Sequence, residues 1–117
     1  MQPLKVLVID DDSAVRDVAC EMLANLNCEV TAASSGPEGL KCLERSAFDA
    51  IFLDIGMPGM NGLEVHKCVR ASHPVQPIVV MTGYSEGDLS EVRDDNTWVL
   101  PKPFSMVSLT DTLKQLR

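Results

Sequence analysis

Four apolar runs in this 117-residue chain each lead into side chains that can do chemistry. In chain order these side chains are Asp10 with Asp11, Asp54, Thr82 and Lys102. Short apolar runs are typical of strands buried on both faces of a parallel sheet, and the carboxyl ends of parallel strands meet at one edge. We therefore expect carboxylates, a hydroxyl and an ammonium group to lie together where open α/β sheets place their ligands.

Such a cluster of acids needs positive charge. Two carboxylates about 4 Å apart repel each other by on the order of 4 kcal/mol at an effective dielectric constant near 20. Lys102 supplies only one positive charge, so a divalent cation is the simplest remedy. An all-oxygen site with open positions suits Mg²⁺. Because a carboxylate can attack phosphorus and form an acyl phosphate, the cluster predicts Mg²⁺-dependent phosphoryl chemistry, with Lys102 and the Thr82 hydroxyl contacting the phosphoryl oxygens.

Each member of the cluster also has a purely structural interpretation. Asp54 can simply terminate a strand, and Asp12 is better placed to cap the following helix than to bind a metal. Thr82 can be an ordinary strand end, and Lys102, which lies between two prolines, can be merely solvated. The placement of all of them at matching strand ends favours a functional site.

Periodicity predicts five strands that alternate with helices. We expect the strands at Leu4–Ile9, Glu29–Ala33, Ala50–Leu53, Ile78–Met81 and Trp98–Leu100. We expect helices after Asp12 or Ser13 to about Leu26, from the cap Ser35 to about Arg45, from Gly62 to about Ser72 and after the cap Ser105, with a short, weakly held helix between Ser85 and Asn96. Each connection is long enough for a right-handed parallel crossover. The pattern predicts an α/β, three-layer doubly wound sandwich whose five-stranded parallel sheet has the order 2-1-3-4-5.

Two helix starts carry the signature of a capping box. Ser35 with Glu38, and Asn61 with Glu64, each place an acid three residues after a residue that can cap a helix. In such a box the two side chains bond each other's backbone N–H groups.

The bulk composition bounds the class of protein. The length predicts one domain, residues 1–117, and 45% hydrophobic with 23% charged residues is typical of a globular fold. The net charge of −7 argues against direct binding of nucleic acid. We expect no membrane insertion and a cytoplasmic location. The cysteines lack metal-ligand spacing, so buried or half-buried free thiols are expected at Cys20, Cys28, Cys42 and Cys68.

Four motifs together resemble the receiver domains of two-component response regulators. They are Val-Leu-Val-Ile-Asp-Asp-Asp-Ser, Leu-Asp-Ile-Gly-Met-Pro-Gly-Met-Asn-Gly, Val-Met-Thr-Gly and Pro-Lys-Pro-Phe. They occur in the family's order, and the likeness runs from Leu4 to Leu116. The resemblance implies a CheY-like fold and a phosphoacceptor switch in phosphorelay signal transduction, rather than an enzyme with its own substrate.

The resemblance also implies a role for each residue. Asp54 matches the phosphoacceptor, which takes a phosphoryl group from a sensor histidine kinase or histidine phosphotransfer protein. Asp10 and Asp11 match the metal-holding acids, with Asp11 the more direct ligand, and Gly56 matches the position whose carbonyl binds Mg²⁺. Thr82 matches the hydroxyl that reports phosphorylation, and Lys102 matches the partner of the phosphoryl oxygens. The Lys102–Pro103 bond is expected to be cis.

The chain departs from the family pattern between Thr82 and Lys102. Val99 occupies the position of the usual switch aromatic, and Trp98, one residue earlier, should point to the opposite side of its strand. This segment is also short, with Asp94-Asp95-Asn96 before the last strand. Tyr84 could cover the site and, with Gly56 unable to orient water, we hypothesise a long-lived phosphorylated state.

Two other functions fit an acidic α/β domain. A Mg²⁺-dependent hydrolase or phosphotransferase with an aspartyl-phosphate intermediate should have an acid two residues after the nucleophile, where this chain has Gly56. A flavin-binding protein should have a glycine- and hydroxyl-rich phosphate loop in place of the three acids. Whether the chain is a stand-alone regulator or a receiver cut from a hybrid kinase, and which output it controls, stays open.

Overall fold

A computed structural model of the protein describes residues 3–83 and 92–116. Its strands are β1 (Leu4–Ile9), β2 (Cys28–Ala33), β3 (Ala50–Asp54), β4 (Ile78–Thr82) and β5 (Thr97–Pro101). The helices in these ranges are α1 (Ser13–Asn25), α2 (Gly36–Arg45), α3 (Gly62–Ser72) and α4 (Met106–Leu116). In the described part of the chain, no helix is both long and apolar enough to span a membrane.

The five strands form one sheet with the order β2-β1-β3-β4-β5, and every neighbouring pair is parallel. This confirms the predicted order, which places the first and third strands side by side. All five residues of β3 and of β4 are buried, and the apolar runs Ala50–Leu53 and Ile78–Met81 within them are those expected of central parallel strands.

Alternate residues of the strands face two separate hydrophobic clusters. Leu7 and Ile9 lie in one cluster with the inward residues of α2 and α3, while Val6 and Val8 lie in the other with those of α1 and α4. Among the residues that the structure describes, two helices therefore cover each face of the sheet, which confirms the three-layer sandwich.

The helix starts follow their predicted caps with one difference. The Asp12 side chain accepts from the N–H groups of Ala14 and Val15, and Asn61 with Glu64 forms a complete capping box. Ser35 caps α2 by accepting from the Glu38 N–H, but the expected box at this start is wrong in its second half. The Glu38 carboxylate accepts from the N–H and the hydroxyl of Ser34, one residue before the cap.

Of the predictions for the segment between Thr82 and Lys102, those for β5 can be checked against the structure. The two predicted faces of β5 are confirmed, because Trp98 packs in the α1 and α4 cluster whereas Val99 is paired in register with Val80 of the opposite cluster. The expected helix between 85 and 96, and the role suggested for Tyr84, fall largely on residues 84–91, which lie outside the described ranges.

The cysteine prediction needs one correction. Cys28 is buried and Cys20 and Cys42 are half-buried, as expected, but Cys68 is exposed. It lies on α3, whose inward residues are Val65, His66 and Val69, so its position in the helical period turns it outward.

Candidate functional site

The register of β1 and β3 brings two acids together. Ile9 is the Cα partner of Leu53, so Asp10 and Asp54 follow at the same edge of the sheet. With Asp11, they offer three carboxylate oxygens that all lie within 4.8 Å of one another. The predicted convergence of the three acids is therefore present.

Asp54 is the last residue of β3 and is 7% exposed. Its Oδ1 atom accepts from Lys102 Nζ at 3.2 Å and from the Gly56 N–H at 3.3 Å, while Oδ2 has no hydrogen-bond partner among the described residues. One carboxylate oxygen is thus held by the protein and the other is available to a ligand.

The loop after Asp54 packs tightly against the backbone of that residue. The Gly62 N–H donates to the Ile55 carbonyl at 3.1 Å, which starts α3 directly beside the site. A Cβ atom at Gly62 would lie 2.6 Å from the Asp54 carbonyl oxygen and 2.5 Å from Ile55 Cα. Glycine is therefore required here because the backbone of Asp54 and Ile55 approaches so closely. From the sequence alone, Gly62 indicates only a break between the strand and the next helix.

Asp10 is completely buried, which is unusual for a carboxylate. Its Oδ1 accepts from the Asp12 N–H at 3.0 Å and its Oδ2 lies 3.4 Å from Lys102 Nζ. Burial, and then the nearby charge of Asp54, raise the pKa of Asp10, although the Asp12 N–H and Lys102 oppose the shift. The buried Asp10 carboxylate therefore needs positive charge nearby if it is to stay ionised.

Lys102 provides part of that charge. Burial would lower its pKa, but Asp54 and Asp10 together outweigh burial, so the pKa of Lys102 is raised and the amine stays protonated. The backbone N–H of Lys102 donates to the Thr82 carbonyl at 2.7 Å, which joins the end of β5 to the end of β4. The Lys102–Pro103 peptide bond is cis, as predicted.

Thr82 ends β4 one residue beyond Met81, the Cα partner of Asp54. Its hydroxyl donates to the Gly83 carbonyl at 3.0 Å rather than to a carboxylate. The side chain is buried at the same edge as the acids, and its hydroxyl must turn before it can donate to a ligand there.

The residues present fit a hard divalent cation. Two buried carboxylates and the exposed Asp11 carboxylate share one ammonium group, so the cluster of these four side chains keeps a charge of about −2 when all are ionised. Carboxylate and carbonyl oxygens are the ligands that Mg²⁺ takes in proteins. Asp12 does not belong to the cluster, because its carboxylate caps α1.

Two arginines that the sequence did not single out make long-range contacts, Arg16 at the site and Arg70 at the opposite edge of the sheet, where β4 and β5 begin. Arg16 Nη1 donates to the Asp10 carbonyl at 2.8 Å. Arg70, on α3, pairs with Asp94 and also donates to backbone carbonyls before β4 and β5. Arg16 could have been suspected from its place on the first turns of the helix after Asp10, whereas the Arg70 contact spans 24 residues and carries no local signal.

Comparison with known proteins gives a consistent result. Residues 6–114 match the family model of the response regulator receiver domain. The chain is 37% identical to the DNA-binding transcriptional regulator NtrC of Escherichia coli (strain K12) over 108 residues, and 34% identical to the response regulator MprA of Mycobacterium sp. (strain KMS) over 119 residues. These alignments cover 91% and 97% of this chain, but only 23% of NtrC and 50% of MprA.

The fold has close counterparts among solved structures. A structure of the chemotaxis protein CheY4 of Vibrio cholerae superimposes with a TM-score of 0.86 at 30% identity, and the match covers 98% of this chain and 99% of CheY4.

Proposed function

The chain belongs to the receiver domain family of two-component response regulators, and we propose that Asp54 is the residue on which it accepts a phosphoryl group. Response regulators receive this group from sensor kinases. The observation that carries the assignment is the position of the Asp54 carboxylate, which has Lys102 on one oxygen and the Asp10 and Asp11 carboxylates beside it. We also propose that residues 1–117 form a single receiver domain.

The proposed transfer is a displacement at phosphorus. An oxygen of the Asp54 carboxylate forms the new P–O bond while the P–N bond to the donor histidine breaks, and the bonding pair returns to the imidazole nitrogen. The Oδ2 atom is the available nucleophile, because within residues 3–83 and 92–116 only Oδ1 accepts hydrogen bonds, from Lys102 and from the Gly56 N–H. The product is an acyl phosphate on Asp54.

The remaining residues hold the transferred group. Asp10, Asp11, Asp54 and the Gly56 carbonyl would bind Mg²⁺, which when bound supplies positive charge to the phosphoryl oxygens. The Lys102 ammonium, already at the carboxylate, supplies a second positive charge. The Thr82 hydroxyl would exchange its bond to the Gly83 carbonyl for one to a phosphoryl oxygen, and this exchange is the proposed first step of the switch.

We propose that β5 does not supply an aromatic side chain beside Thr82 through which the switch could pass its signal. Val99 is 39% exposed and offers no ring, while Trp98 packs on the other face of the sheet. We propose a phosphoacceptor switch rather than a turnover enzyme, in the cytoplasm, with a histidine kinase or histidine phosphotransfer protein upstream. Its downstream partner is a protein, because a net charge of −7 repels nucleic acid.

The test is incubation of the purified chain with acetyl phosphate and Mg²⁺, followed by intact mass measurement. The proposal predicts one added phosphoryl group that is stable in acid and lost in base, absent with EDTA and absent in Asp54→Asn. A hydrolase would instead release inorganic phosphate continuously without accumulating the adduct. A flavin-binding protein would gain no phosphoryl group.

A further inference from the structure

Arg16 binds the backbone of a site residue rather than a carboxylate. It lies on the first turns of α1, half-buried, and its Nη1 atom donates to the Asp10 carbonyl oxygen at 2.8 Å. Within the described ranges its guanidinium takes part in no ion pair. A hydrogen bond from a charged donor at this distance is stronger than one between neutral groups.

The carbonyl that Arg16 binds belongs to the peptide that joins Asp10 to Asp11. Because that peptide is planar, the direction of its C=O also fixes the N–H of Asp11 and the course of the chain at that residue. The Asp10 side is held independently, since its N–H donates to the Ala33 carbonyl at 3.2 Å and its Oδ1 accepts from the Asp12 N–H.

Asp11 has no comparable support of its own. Its carboxylate is exposed and has no hydrogen-bond partner among the described residues, yet it reaches to within 4.8 Å of the ligand oxygens of Asp10 and Asp54. The place of this carboxylate therefore depends on the backbone, and Arg16 is the side chain that holds that backbone from α1.

We propose that Arg16 is a positioning residue for Mg²⁺ binding, which it favours by fixing the Asp10–Asp11 peptide. This inference rests on the proposed function, because it takes Asp10, Asp11 and Asp54 as the metal ligands. Charge and position make opposite predictions here. A cation near three acids repels Mg²⁺, so removal of the charge alone would tighten Mg²⁺ binding, whereas loss of the positioning contact weakens it.

The experiment is calorimetric titration of Mg²⁺ into the full chain and its variants. Arg16→Met, which keeps an apolar stem without donors, is expected to raise the Kd for Mg²⁺ by about 10-fold. Arg16→Lys keeps a charged donor and should give a Kd between those of Arg16→Met and the wild type. Arg45→Met is the matched control, because Arg45 is exposed at the end of α2 and makes no hydrogen bond or ion pair in the described part of the chain.

The outcomes separate the inference from the proposed function. A Kd in Arg16→Met that is unchanged or lower than that of the wild type would overturn the positioning role, as would an equal rise in Arg45→Met. Circular dichroism and urea unfolding in EDTA show whether Arg16→Met folds. If it does not, Arg16→Lys decides: a Kd for Mg²⁺ above the wild-type value supports the positioning role, and an equal Kd overturns it. If the wild type neither binds Mg²⁺ nor accepts a phosphoryl group, the proposed function itself has failed.

Discussion

The ammonium group of Lys102 lies 3.2 Å from Oδ1 of Asp54, although the strands that carry the two residues are not neighbours. β4 lies between β3 and β5, so Lys102 reaches across the end of β4, where its N–H also donates to the Thr82 carbonyl. This geometry makes Lys102 the link between three strand ends. Its charge is available to a group on Asp54 without rearrangement of the sheet.

Lys102→Met removes the only ammonium group at the described site. We expect phosphorylation by acetyl phosphate at saturating Mg²⁺ to slow by about 100-fold, because a positioned charge that stabilises the transferred group is lost. The initial rate of adduct formation measures this effect. Lys114→Met is the control, since Lys114 lies exposed in the last turn of α4, and its rate should equal that of the wild type. An unchanged rate in Lys102→Met would exclude the assigned role.

Asp10→Asn should stabilise the protein in EDTA while it weakens Mg²⁺ binding. Folding raises the pKa of Asp10 through burial, so the ionised form costs folding free energy at neutral pH, and a neutral side chain of the same shape removes that cost. We expect a gain of about 1 kcal/mol in the free energy of unfolding at pH 7, measured by urea denaturation. The stability gap between variant and wild type should narrow as the pH falls through the raised pKa towards 3.8 and the wild-type acid becomes protonated. A less stable variant at pH 7 would contradict the account.

Asp94→Asn should destabilise the protein by loosening the turn before β5. Asp94 forms an ion pair with Arg70, lies 3.3 Å from His66 Nε2, and accepts from the Thr97 hydroxyl and the Asn96 N–H. The hydrogen bond from Arg70 is the main cause of its lowered pKa. We expect a loss of about 1 kcal/mol at pH 7, a value that allows for partial exposure of the pair.

The pH dependence gives a second reading of the same variant. Since the folded pKa of Asp94 is depressed, its contribution is fully present above the ordinary value of 3.8 and is lost as the pH falls further. The difference between wild type and Asp94→Asn should therefore shrink in acid. Asp95→Asn, an exposed neighbour without hydrogen bonds from its side chain in the described ranges, should match the wild type throughout. A gap that persists unchanged below pH 3.8 would argue against the Arg70 pairing.

The site was more predictable from sequence than its support. Asp10, Asp54 and Lys102 could be placed together because each follows a short apolar run, and parallel strands share one edge. The Thr82 hydroxyl could not be oriented in advance, because its bond to the Gly83 carbonyl depends on the local backbone beyond the strand. Away from the site, the Arg70–Asp94 pair joins α3 to the turn before β5, so it is set by tertiary structure rather than by any pattern in the sequence.

The start of α2 was likewise predictable from the sequence only in part. The motif Ser35 with Glu38 correctly predicts the cap of α2, yet the acid bonds Ser34 instead of the Ser35 N–H. Both arrangements satisfy the same sequence rule, and only the local direction of the chain decides between them.

Whether Asp54 is the phosphoacceptor is tested most directly by chemical identification of the phosphorylated residue. The chain is treated with acetyl phosphate and Mg²⁺, reduced with sodium borohydride, which converts an aspartyl phosphate to homoserine, and sequenced by peptide mass spectrometry. If Asp54 is the phosphoacceptor, homoserine forms at position 54 alone and only when Mg²⁺ is present. Homoserine at position 10 or 11, or none at all, would contradict this assignment.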